Sequence, residues 1–192
     1  MPRLWSRTIE THRREVHDAI LDTTAALVAD GGLRAATMSE IAERAGIGRA
    51  TLYKYFASIE AILLAWHERQ IAGHLKQLVR ARDEAGSPEE ALEAVLSAVA
   101  QISRESRSHH DGELADFLHR DKQVAAAEQQ LRKLIRDLVA AGQKRGEVRN
   151  DIPAEELAAY SLHALAAART LPSKAALSRL VAVTADGLRR RA

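Results

Sequence analysis

TMSEIAERAGIGRATLYKYF, residues 37–56, reads as two short helices joined by a tight turn. Thr37 is a good N-cap, and Glu40 stands three residues later, where it can reach back to the cap amide, so the pair marks where the first helix starts. Ile41, Ala42 and Ala45 form its buried stripe. Gly46 follows at once, where a helix commonly stops because glycine accepts a left-handed conformation without a Cβ clash. Ile47 is apolar and plugs the angle between the two helices. The second run, GRATLYKYF (48–56), places Leu52 and Phe56 on one inward face. Its other face shows Arg49, Thr51, Tyr53, Lys54 and Tyr55, and no carboxylate occurs between Glu43 and Glu60.

A short helix with a basic, hydroxyl-rich and aromatic surface, held at an angle by a glycine-containing turn, is what a DNA major groove admits. Arginine forks onto guanine, threonine hydrogen-bonds a base or touches a thymine methyl, and tyrosine hydroxyls and lysine reach phosphates. On pattern alone the alternative is a structural helical hairpin whose charged face is solvated, since this geometry is common in all-α proteins.

Further residues narrow the choice. Outside the hairpin stand Leu27-Val28-Ala29-Asp30-Gly31-Gly32 before it and Ser58-Ile59-Glu60-Ala61-Ile62-Leu63 after it. Within it are Thr37-Met38-Ser39-Glu40-Ile41-Ala42, Ala45-Gly46-Ile47 and Thr51-Leu52-Tyr53-Lys54-Tyr55-Phe56. Over residues 13–66 this ordered pattern resembles the N-terminal domain of the TetR family of bacterial transcription regulators. Three positions depart from the family's habit: Gly48 where serine often opens the recognition helix, Ala50 where glycine is common, and Ile59 where a phosphate-binding lysine often opens the fourth helix. The DNA-binding set is therefore read as Thr37, Gly48, Arg49, Ala50, Thr51, Tyr53, Lys54 and Tyr55, with Thr37 and the Gly48 amide at phosphates.

The chain of 192 residues, 46% hydrophobic and 28% charged, has the composition of a soluble globular protein with one large or two small cores. A net charge of +2 places any DNA affinity in a local patch rather than in the field of the whole molecule. The absence of cysteine removes disulfides, thiolate metal sites and cysteine nucleophiles together. No apolar run approaches the ~18–20 residues that span a bilayer, and the N-terminus lacks the apolar core of a signal peptide, so the expectation is a cytoplasmic protein without membrane contact. There is no ordered nucleophile, base and carboxylate set, no phosphate loop and no metal motif, so an enzyme is not expected and no cofactor is implied.

Alanine, leucine, glutamate and arginine dominate throughout and no alternating strand pattern appears, which predicts an all-α fold. Met1 to about Thr11, with Arg3, Arg7 and, just beyond, Arg13 and Arg14 against a single Glu10, reads as an arm able to lie along the DNA backbone or to enter the minor groove, or as a plain tail. A helix from roughly Arg13 to Ala29 then carries Val16, Ile20, Thr23 and Leu27 on one stripe, and Gly31-Gly32 closes it. Ser58 caps a long helix to about Glu84, some 40 Å at ~1.5 Å per residue. His67 and His74 share roughly one face of it, without the further ligands a metal site needs. Ser87-Pro88-Glu89-Glu90 restarts the chain as a helix bearing Leu92, Val95, Leu96, Val99 and Ile102. SRESRSHHDGE is an internal loop, followed by a short helix near Leu114–Arg120 and a longer one from Lys122 to Lys144 buried through Leu131, Leu134, Ile135 and Leu138, with Gly142 and Gly146 as its terminators.

Two last helices, about Ala154–Thr170 and Lys174–Arg190, carry the stripes Leu157, Ser161, Ala164, Leu165, Ala168 and Leu177, Leu180, Val181, Thr184, Leu188. The resemblance implies that this pair packs against its copy in a homodimer through residues 154–190; an ordinary intramolecular hairpin is the alternative. The whole is read as a three-helix helix-turn-helix domain, residues 1–57, and a helical ligand-binding and dimerisation domain, residues 58–192. A small-molecule effector, apolar or aromatic and weakly charged, is expected against His74, Leu78, Leu96, Val99, Phe117, Leu134 and Leu138, or else those residues simply fill the core. The function expected is a repressor that binds a palindromic operator in double-stranded DNA and is released by that ligand. The alternatives are a helical protein-interaction module and a ligand-independent DNA-binding protein.

Overall fold

The computed structural model describes residues 3–32, 35–105 and 122–190, and the side chains of residues 9–32, 35–105, 126 and 128–190. Among these residues it is built from eight α-helices and one 3₁₀ turn. They are α1 (Arg3–Gly31), α2 (Met38–Arg44), α3 (Arg49–Tyr55), α4 (Ile59–Asp83), α5 (Pro88–Glu105), α6 (Lys122–Arg145), α7 (Ala154–Ala166) continued by the 3₁₀ turn Ala167–Thr170, and α8 (Lys174–Leu188). The chain divides into two compact units, Met1–Gln70 and Ile71–Ala192, and α4 runs from the first into the second. No helix of the described residues is long and apolar enough to cross a membrane.

In the first unit Ile20, Leu21 and Leu27 of α1 close over Ile41 and Ala42 of α2, Leu52 of α3, Phe56, and Ile62 and Trp66 of α4. Two expectations change here. Helix α1 starts at Arg3, well before Arg13, so the described part of the expected arm is helical. Its sequence accounts for this, since after Pro2 the next stretch holds no helix breaker. The buried threonine of α1 is Thr24 and not Thr23, which is half-buried. Thr24 lies four residues after Ile20 and three before Leu27, central to the stripe, and its hydroxyl donates to the Ile20 carbonyl at 2.8 Å, so no polar group is stranded.

The second unit is organised by α5, which buries Ala91, Leu92, Val95, Leu96, Val99 and Ala100 and packs on α6, α7, the 3₁₀ turn and α8. Its start follows the sequence reading: Ser87 Oγ accepts from the Glu90 amide at 3.2 Å, and the Glu90 carboxylate accepts from the Gly86 amide at 2.9 Å. Ile135 and Val139 are the fully buried positions of α6, while Leu131, Leu134 and Leu138 pack on the same core from its margin. Gly142 does not end α6. It is buried inside the helix because Val148 folds back onto it, and a Cβ there would lie 2.5 Å from Val148 Cγ2. Gly146, at φ +76, is the terminator. The turn that follows is tied to the end of α8, with the Arg149 amide on the Leu188 carbonyl at 2.9 Å and the Arg190 amide on the Glu147 carbonyl at 3.1 Å.

The short helix expected near Leu114–Arg120, and His109 and His110, lie outside the described residues.

Candidate nucleic-acid interface

The helix-turn-helix is set by backbone chemistry at three points. At the start of α2, Thr37 is extended (φ −110, ψ 153) and its hydroxyl oxygen accepts from the Glu40 amide at 3.1 Å. The Glu40 carboxylate lies 3.7 Å from Arg44 Nε, and Arg44 also lies 3.6 Å from Asp30, which ties α2 to the end of α1. At the end of α2, Gly46 takes φ +67. Its amide donates to Glu43 at 3.1 Å and the Ile47 amide donates to Ala42 at 2.9 Å, the paired bonds of a Schellman motif, and Ile47 packs on the core as the accompanying apolar contact. Gly48, also extended, caps α3 without a side-chain bond, and its carbonyl accepts from Thr51 and Leu52 at 2.9 and 3.0 Å.

Leu52 is completely buried, and it holds α3 by one face. On the outer face Arg49, Ala50, Tyr53 and Lys54 are exposed, with Tyr53 at 56%. Thr51 is half-buried, and Tyr55, half-buried as well, packs its ring against the core. Tyr55 thus stands at the margin of the face and not on its crest. Arg49 and Lys54 form no ion pair with any described residue. The next carboxylate along the chain is Glu60, whose acidity is raised by hydrogen bonds from the Ser58 hydroxyl and from its own amide, partly offset by burial. Ile59, standing where the family often has a phosphate-binding lysine, packs on the core instead. The face of α3 is therefore a small, solvent-exposed, cationic and hydroxyl-bearing ridge on a rigid seat, which suits base edges flanked by phosphates.

The residues read as a ligand site are distributed differently. Leu78, Leu96 and Val99 are buried in one cluster, with Leu134 and Leu138 packed against it. His74 is half-buried, and Phe117 lies outside the described residues. Two concavities bounded by described residues are lined by none of these. One lies among Pro88, Leu92, Gly142, Val148 and Leu188, and the other runs along α4 at Leu75, Val79 and Asp83. Among the described residues no three side chains converge as metal ligands.

Sequence reasoning missed two contacts of this unit. Arg69 on α4 joins Asp18 of α1 at 3.4 Å and also Asp22, and the ring of His17 on α1 stacks at 5.0 Å on Phe56, the C-cap of α3. Both join residues far apart in the chain.

A helix-turn-helix whose second helix carries cations without an ion-pair partner among the described residues, followed by a second helical unit, is the arrangement of a DNA-binding transcription regulator. Residues 20–66 match the family model of bacterial regulatory proteins of the tetR family, and residues 87–190 match that of the SbtR-like transcriptional regulator C-terminal domain. The chain belongs to the TetR family of transcription regulators. It is 30% identical over 143 residues to the HTH-type transcriptional repressor KstR2 of Mycobacterium tuberculosis, covering 69% of each chain. It is 27% identical over 139 residues to the repressor KstR of Mycolicibacterium smegmatis, covering 72% of this chain and 68% of that one. A crystal structure of a TetR/AcrR-family regulator from Thermobifida fusca superposes with a TM-score of 0.74 at 20% identity, covering 91% of this chain and 98% of the other.

Proposed function

We propose that this chain is a homodimeric repressor that reads a palindromic operator through α3 and is released by a small, largely apolar ligand. The observation that carries the DNA part is the exposed face of α3, where Arg49 and Lys54 stand without an ion-pair partner among the described residues, above a buried Leu52. Arg49, Ala50 and Thr51 face bases, and Lys54, Thr37, the Gly48 amide and the hydroxyls of Tyr53 and Tyr55 face phosphates. Repression is supported by the names of the KstR and KstR2 relatives. The setting is the cytoplasm, where operator DNA is found.

Pairing is supported by the outer faces of α7 and α8. The stripes anticipated for the pair are largely spent inside the chain, since Leu157, Ser161, Leu165, Leu177, Thr184 and Leu188 are buried. What remains outside includes Tyr160, 47% exposed, and Val183, 65% exposed, with the Tyr160 ring lying across Gly187. A second copy covers such a surface, and two α3 helices related by a two-fold axis supply the contacts that one seven-residue helix lacks.

The ligand is proposed to bind against Leu78, Leu96, Val99, Leu134, Leu138 and the half-buried His74, and Phe117, expected to join them, lies outside the described residues. A compound that favours one arrangement of the DNA-binding units shifts the equilibrium by its differential affinity, and α4 is the helix that the two units share. The full burial of Leu96 and near-full burial of Val99 favour a second reading, a regulator that works without a ligand.

The test is selection of duplexes from a random pool, followed by calorimetry with and without the selected duplex of ketosteroids and acyl thioesters, the compound classes named for the solved structures of the ketosteroid regulator KstR2 of Mycobacterium tuberculosis and of FadR from Bacillus subtilis with stearoyl-CoA. A two-fold symmetric site is expected, together with a compound whose affinity falls when DNA is bound, by the reciprocity of linkage. Recovery of no sequence contradicts the DNA reading. Recovery of a site with equal compound affinities in the two titrations leaves the ligand-independent reading in place.

A further inference from the structure

The first unit uses some of its cations to join its helices and leaves others free. Arg44 faces Asp30 and Glu40, and Arg69 faces Asp18 and Asp22. On α3, Arg49 and Lys54 pair with no described residue. Two arginines of α1, Arg13 and Arg14, share that state. Both are exposed and form no ion pair with a described residue, although Glu10 lies at the helical pairing distances of three and four positions. The other carboxylates of these turns face elsewhere: Glu15 lies 3.9 Å from His12, and Asp18 meets Arg69 and His17.

Position gives the free pair its meaning. Arg13 continues toward the N-terminus the stripe of Val16, Ile20 and Leu27 by which α1 covers the core, and it is exposed because that core has ended beneath it. One turn on, His17 stacks on Phe56 at the C-cap of α3. The arginine turn is thus next to the contact that fixes α1 against the end of the basic helix. Guanidinium groups held on a helix, with five donors each and no carboxylate among the described residues to satisfy them, match phosphate oxygens in a forked geometry.

We propose that Arg13 and Arg14 clamp the phosphodiester backbone of duplex DNA beside the bases that α3 reads. The proposal rests on the reading of α3 as the recognition helix and adds a sequence-independent component to it. Phosphate contacts position a protein and carry no sequence information, so the clamp contributes affinity and salt dependence without discrimination.

The experiment is fluorescence anisotropy of the full chain with two labelled duplexes, one recovered from a random pool by the unsubstituted chain and one a shuffle of it, from 50 to 200 mM potassium chloride. For Arg13→Ala with Arg14→Ala, the slope of log affinity against log salt is expected to be shallower by about 0.9 for each phosphate the variant no longer neutralises. If each arginine of both protomers neutralises one phosphate, the slope changes by about 3.6 and the variant's disadvantage relative to the parent shrinks roughly a hundredfold over that salt range. The ratio of affinities for the two duplexes stays at the parental value. Arg13→Lys with Arg14→Lys restores most of the slope, and Arg80→Ala with Arg132→Ala, which removes the same charge from the second unit, leaves it unchanged. A parental slope in the alanine pair, a weakening confined to the selected duplex, or an equal change in the Arg80 and Arg132 control overturns the clamp. A parent that binds neither duplex overturns the reading of α3, and the clamp falls with it. Helical circular dichroism checks that the alanine pair folds, and if it does not, the lysine pair against the control decides by the same slope.

Discussion

The two units of this chain are specified by different means. In residues 37–62 nearly every boundary is fixed by a local device: the Thr37 cap, the Gly46 reversal with its two backbone bonds, and the Ser58 cap, which accepts from the Ala61 amide at 3.3 Å. In the second unit the centre is Val95, Leu96, Ala100, Ile135, Val139 and Leu165, aliphatic positions drawn from distant helices and buried together. A helix of seven residues such as α3 cannot form alone, so its position must come from its ends and from one buried anchor, Leu52. A helix such as α5, with eighteen residues and a continuous apolar face, takes its position from packing. The first arrangement leaves a surface free for work, and the second gives up its surface to make an interior.

The comparison can be broken most forcefully at the anchors. Leu52→Ala and Leu96→Ala, both fully buried, are each expected to cost about 2–5 kcal/mol in denaturant unfolding. A cost below about 1 kcal/mol at either site would remove that residue from the centre of its core.

A sharper contrast uses two glycines. Gly46→Ala meets nothing within 4 Å, and its cost, about 1–2 kcal/mol, comes from the left-handed backbone alone. Gly142→Ala meets Val148 Cγ2 and costs about 1–3 kcal/mol through overpacking. Val148→Ala should therefore suppress the second and not the first, whereas Gly46→Asn should be milder than Gly46→Ala. If Val148→Ala rescues both or neither in denaturant melts, the two glycines do not differ in the way described.

Thr37→Ala is expected to cost about 1 kcal/mol, and Thr37→Ser to keep most of it, because the hydroxyl oxygen carries the cap. The smallest effect belongs to Arg69→Ala. Its partners Asp18 and Asp22 are more than half exposed, so about 0–1 kcal/mol should disappear at low salt and almost nothing in molar salt. A salt-independent effect would show that Arg69 acts through its stem and not through its charge.

What was legible in the sequence follows the same division. The helix-turn-helix could be read residue by residue, since caps and turns are encoded within a few positions. The Ser87-Pro88 restart was legible for that reason too. The errors lie where a long-range neighbour decides. Gly142 looks like a terminator until Val148 is seen folding onto it, and Thr23 and Thr24 differ by only one step around a helix. The stripes of α7 and α8 were correctly apolar, but periodicity does not say whether the partner helix belongs to the same chain. On α3, Tyr55 was placed on the outer face by its chemistry, whereas its position three residues after the buried Leu52 turns it toward the core.

The central claim is that the exposed face of α3 reads DNA. It is tested most directly by the affinities of Arg49→Ala and Lys54→Ala for the selected duplex and for single-base variants of it, at one salt concentration and then across a salt series. The account predicts that Arg49→Ala weakens binding by about 1–3 kcal/mol on the selected site and ceases to discriminate at one base pair. Lys54→Ala weakens every duplex alike and flattens the salt slope by about one for each protomer bound. Parental affinity and parental discrimination in both variants would contradict it.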